Sequence, residues 1–85
     1  MTAATDVGQA VADAHRREWA FVLAATVRVT RDLDVAEEAV QDAYVQALEH
    51  WPREGVPQHP GAWLTTVARR RALNVIARAK TLDTK

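Results

Sequence analysis

Cysteine is missing from all 85 residues, which rules out disulfide staples and thiolate metal sites and fits a reducing compartment. Glycine and proline are scarce, three of each. No alternating β-branched run appears, so strands have little to build on. No apolar stretch approaches the roughly 20 residues needed to span a bilayer. The N-terminal residues lack a basic run followed by an apolar segment, and do not read as a signal peptide. These absences predict a soluble, cytoplasmic chain without a membrane role. At this length it forms one domain, with a core just large enough to fold. Gly-rich phosphate loops are absent. His15, His50 and His59 are scattered, and no threonine has a base beside it at a useful spacing. No catalytic group, metal site or cofactor is therefore expected, and the chain reads as a binding module rather than an enzyme.

What is present is alanine-rich and helical in period. The formal net charge of zero hides an asymmetry. Asp32, Asp34, Glu37, Glu38, Asp42, Glu49 and Glu54 face a single base, Arg53, in the middle of the chain. Between residues 60 and 80 stand Arg69, Arg70, Arg71, Arg78 and Lys80 with no acid. Opposed blocks point to two partners of different charge, or to blocks that pair with each other.

Residues 1–8 read as a disordered leader, 9–80 as the domain and 81–85 as a tail or the start of a linker. The spacing predicts a first helix over about 9–29, with Val11, Trp19, Val22, Leu23, Thr26 and Val29 on one broad face. A break near Arg16 or Arg28 would split it in two. A second helix is predicted from Asp34, capped by Asp34 with Glu37 three residues on, and stopped by Pro52 after Trp51. All three prolines then fall in nine residues, Pro52–Pro60, and define a constrained loop. Pro60 suits the first position of a last helix running to about Ala79. The expected fold is all-α, a compact bundle of three to four helices.

Helical wheels separate two stripes on each of the later helices. In the second, Ala36, Val40, Ala43, Tyr44, Ala47 and Trp51 form a core stripe. Opposite lie Glu38, Gln41, Asp42, Val45 and Glu49: either an ordinary solvated face or a docking strip for a basic helix. In the last, Leu64, Val67, Ala68, Ala72, Val75, Ile76 and Ala79 form the core stripe. Trp63, Thr66, Arg70, Asn74 and Ala77 lie opposite, flanked by Arg69, Arg71 and Arg78. Arginines grip phosphate, asparagine reads an adenine edge and a tryptophan outside the core stacks on an exposed base. Trp63 equally suits helix packing, and the arginines equally suit solvent or pairing with the acidic helix.

The run Asp34-Val-Ala-Glu-Glu-Ala-Val-Gln-Asp-Ala-Tyr44, then Trp51, then Ala62-Trp-Leu-Thr-Thr-Val-Ala-Arg-Arg-Arg-Ala-Leu-Asn74, resembles region 2 of the sigma-70 family. The type is the extracytoplasmic-function sigma factors. Trp51-Pro-Arg-Glu-Gly-Val-Pro57, with Pro60-Gly-Ala-Trp-Leu64 and Ala68-Arg-Arg-Arg-Ala-Leu73, is similar to the subgroup whose chains carry a C-terminal helical-repeat extension.

The resemblance implies a promoter recognition and melting domain. Its partners would be the RNA polymerase core, through the β′ clamp coiled coil, and the −10 non-template strand of promoter DNA. An anti-sigma protein or the chain's own C-terminal extension are further candidates. Glu38, Gln41 and Asp42 match polymerase-contacting positions, and Val45 joins them by geometry. The loop, with Arg53, Gln58 and His59, matches the segment that captures a flipped base. Trp63 matches a position at the bubble edge, and Arg69, Arg70, Arg71, Asn74 and Arg78 match the helix that grips the −10 region. Arg70 stands where many members have Asn, Asn74 where Asp is common and Ala77 where a second Arg is common. Two rivals stay open: a helix-turn-helix regulator, against which the nine-residue loop argues, and a helical module that binds only protein.

Overall fold

A computed structural model describes residues 3–83, which form three helices: α1 (Ala3–Thr30), α2 (Leu33–Glu54) and α3 (Pro60–Asp83). Among the described residues there is no strand, and α1 runs through Arg16 and Arg28 without a break. The bundle therefore has three helices, not four.

α1 starts at Ala3, six residues before the start that its apolar pattern predicts. Val7 continues the stripe of Val11 and Ala14, and all three are buried. Residues 3–8 are thus part of the folded helix rather than a leader, and residues 1–2 lie outside the described residues. The helix ends where Arg31 takes a left-handed φ of 55° and its N–H donates to the Val27 carbonyl at 2.6 Å.

The N-cap of α2 is Asp32, two residues before the predicted Asp34. Asp32 is extended, and its Oδ1 accepts from the Val35 N–H at 3.1 Å. Thr30 braces this cap, its hydroxyl accepting from the Asp32 N–H at 3.1 Å. Asp34 falls in the first turn, where its charge suits the helix dipole.

Pro52 does not stop α2. Its fixed φ is compatible with a helix, and so late in α2 its missing N–H costs only one terminal hydrogen bond. The helix continues to Glu54 and closes at Gly55, whose N–H donates to the Trp51 carbonyl at 2.8 Å. Gly55 has a φ of 89°, which a side chain would disfavour. The connection to α3 is therefore five residues, Gly55–His59, rather than nine. Pro60 opens α3 as the sequence predicts, and the His59 carbonyl accepts from the Ala62 and Trp63 N–H groups at 3.1 and 3.2 Å.

Each helix touches both others. The predicted α2 stripe is buried in full, joined by Ala39. In α3, Leu64, Ala68 and Ala72 are buried, Val67, Val75 and Ile76 are half-buried, and Ala79 is exposed. The reason is axial offset. Gly61 sits against Glu18, so at equal rise per residue the end of α1 is level with about residue 73 of α3. Beyond that α3 has outrun its neighbour, and it stays helical through residues 81–83, which were expected to be tail. Alanine at Ala36, Ala39, Ala43, Ala47, Ala68 and Ala72 lets the axes approach closely, while Val22, Val40, Trp51 and Leu64 fill the centre.

Candidate functional site

The acidic strip of α2 is one wall of a groove. Glu38, Gln41, Asp42 and Val45 line it together, and Arg71 and Val75 of α3 form the other wall, enclosing about 390 Å³. Glu38 and Gln41 are exposed, and Asp42 is half-buried, its Oδ2 accepting from the Gln46 side-chain amide at 2.7 Å. Val45 keeps 52% of its surface in solvent, so its isopropyl group is free to meet a partner. Leu48, one turn on, is 51% exposed beside the same strip. The sequence reading left it out, although its i+3 relation to Val45 and i+7 relation to Gln41 place it there.

The arginines of α3 are all exposed, but they do not form one surface. Arg71, Asn74 and Arg78 line a second, smaller groove of about 320 Å³ with Val75 and Ala77. Arg70 lies one helical step round from Arg71. Arg69 and Arg71 are two steps apart, about 160° round the helix, so Arg69 lies on the α1 flank. Arg71 borders both the acidic groove and the arginine groove. A wheel of α3 alone could not reveal this, because the acidic wall belongs to another helix. Among the described residues no ion pair joins the acidic and basic blocks. The two present, Arg16 to Asp13 and His50 to Glu54, each lie within one helix.

Trp63 is half-buried, its ring edge-on to the buried Trp51 at 5.4 Å between centroids and 6.4 Å from His50. It packs on the core and keeps part of its surface in solvent. Arg53 lies in the last turn of α2 rather than in the loop, and it is exposed. Gln58 and His59 are exposed on the loop beside the start of α3. Among the described residues no three His, Asp or Glu side chains gather as metal ligands would. Nor is any helix there long and apolar enough to cross a membrane.

Two buried features hold the loop end of the site in place. Gly61 is buried against the Glu18 side chain, and a Cβ there would lie only 2.8 Å from the Glu18 Cδ. This close approach brings a carboxylate to the N-terminus of α3, a favourable place for negative charge. Nearby, the Tyr44 hydroxyl donates to the Ala14 carbonyl at 3.2 Å, and its ring packs at a tilt against His15 and Trp19. Burial first, and the Glu18 charge second, push the Tyr44 phenol up to about 12.

The arrangement is that of a small helical domain with an acidic groove between α2 and α3, and with exposed arginines and a half-buried tryptophan on α3. The family model for sigma-70 region 2 matches residues 13–81, and the chain belongs to that family. Sigma-70 region 2 is a domain of transcription initiation factors, not of enzymes. Over 56 residues, 66% of the chain, it is 45% identical to an uncharacterized protein of Rhizobium meliloti (strain 1021) and covers 13% of that protein's length. No solved structure matches.

Proposed function

We propose that the chain is the promoter recognition and melting domain of an alternative sigma factor of the extracytoplasmic-function type, from the subgroup with a C-terminal helical-repeat extension, acting in the cytoplasm. The acidic groove docks on the β′ clamp coiled coil of RNA polymerase. Docking sets the Gly55–His59 loop, Trp63 and α3 against the −10 element.

One observation carries this reading: Glu38, Gln41 and Asp42, the three residues matched to polymerase contact, line a single open groove together with Val45. Acids steer a basic helix toward it, and Val45 supplies apolar contact once the helix arrives. On the DNA side, Arg70, Arg71, Asn74 and Arg78 neutralise phosphate or reach base edges. Arg53, Gln58 and His59 surround a base extruded into the loop, and Arg69 reaches the strand from the α1 flank. Extruding a base costs a few kcal/mol, and a loop that contains Pro57 and runs into Pro60 loses little freedom in catching it. Melting is then driven by capture of the open strand, without hydrolysis.

The test is binding of the chain to a fragment of the β′ clamp coiled coil. Glu38→Lys, at an exposed position, should abolish binding while leaving the fold intact. Unchanged affinity would refute the docking assignment.

A further inference from the structure

α1 carries a surface that neither the acidic groove nor α3 uses. Arg17, Phe21, Ala24 and Arg28 follow at i, i+4, i+7 and i+11, all exposed, and form one stripe about 16 Å long with no acid in it. Arg31, exposed and left-handed in backbone, follows just past the helix end. Phe21 is 64% exposed. Among the described residues no ion pair engages Arg17, Arg28 or Arg31.

The stripe begins at the loop. Arg17 lines a cleft of about 230 Å³ between α1 and the loop end, opposite Val56 and Pro60. Two acids share that cleft, but both are engaged. Asp13 accepts from Arg16 and Gln9, and Glu18 sits under Gly61 at the start of α3.

We propose that the stripe Arg17–Phe21–Arg28 is a second single-stranded nucleic-acid contact, taking the part of the strand that leaves the Gly55–His59 loop. Free arginines in line with an exposed aromatic ring are the chemistry of sequence-tolerant single-strand binding: cations track the phosphates and the ring stacks a base. Continuity with the loop cleft favours a nucleic-acid strand over an acidic protein segment. The proposal rests on the reading of the loop as a strand-capturing element.

Anisotropy with labelled single-stranded DNA of mixed sequence tests it, using a short probe of about six nucleotides and a longer one of about twelve. The double variant Arg17→Glu/Arg28→Glu should weaken the longer probe about tenfold or more and leave the short probe unchanged. Its salt slope on the longer probe should fall by roughly 1.4, the loss of two phosphate contacts on a single strand. Phe21→Ala should weaken the longer probe about fivefold or more. The proposal is overturned if both variants bind the longer probe like the parent while Arg70→Ala weakens both probes; the strand-capture reading would then stand alone. If the parent binds neither probe at low salt, that reading falls and takes the stripe with it. Loss of binding to a polymerase fragment with DNA binding intact would make the stripe a protein contact and overturn the proposal.

Discussion

Tyr44 is the chain's only tyrosine, so its ionisation can be followed directly by phenolate absorbance. Its pKa is raised to about 12 from an ordinary 10, chiefly by burial and secondarily by Glu18. The folded state therefore holds the phenolic proton more tightly than the unfolded chain does. Below about pH 10 this contributes a constant stability. Between about pH 10 and 12 the unfolded chain loses the proton first, and the contribution disappears. Two pK units correspond to about 2 to 3 kcal/mol, lost at up to about 1.4 kcal/mol per pH unit.

In Tyr44→Phe the ring packing against His15 and Trp19 is kept, but the 3.2 Å hydrogen bond to the Ala14 carbonyl is lost. That carbonyl lies inside α1, where the helix ladder also serves it, so the loss is about 0.5 to 1.5 kcal/mol. Urea denaturation followed by helical circular dichroism should thus find the variant less stable at pH 8, and as stable as the parent or more so near pH 12. The absorbance of the parent should report an ionisation near 12 that coincides with unfolding. Stability curves that run parallel from pH 8 to 12 would refute the reasoning, because another group would then drive the alkaline loss.

Two further perturbations test the packing that positions the site. Gly61→Ala should destabilise the domain by about 1 kcal/mol through its clash with Glu18, and a double-mutant cycle with Glu18→Ala should show most of that cost vanish. Additive effects would mean that the contact does not constrain the loop end. Leu64→Ala, at a fully buried position, should cost about 2 to 5 kcal/mol in urea denaturation, a large share of the stability of so small a domain. A cost under about 1 kcal/mol would show that α3 does not pack as described.

The helices and their core stripes were legible because a single period governs both. Ala36, Val40, Ala43, Tyr44, Ala47 and Trp51 repeat on one side of α2, and all are buried. Boundaries were harder to read. Asp32 and Asp34 both carry a capping carboxylate, and only the extended backbone at Asp32 decides between them. Pro52 looks like a stop, yet one proline near a helix end is tolerated. The residues proposed for docking are legible as a stripe in the sequence, whereas Leu48 is not singled out there and Arg71 is matched only to the DNA-gripping helix. The position of Arg71 at the acidic groove depends on how α3 lies against α2, which no pattern within α3 encodes.

The central claim is that the two charged surfaces serve different partners. It is tested most directly by measuring two variants against two ligands under one set of conditions. Glu38→Lys should abolish binding to the β′ clamp coiled-coil fragment and leave affinity for single-stranded −10 DNA unchanged. Arg70→Ala should weaken the DNA, with a shallower salt dependence, and leave the fragment unaffected. If either variant alters both ligands equally while remaining folded, the surfaces are not separate and the account is contradicted.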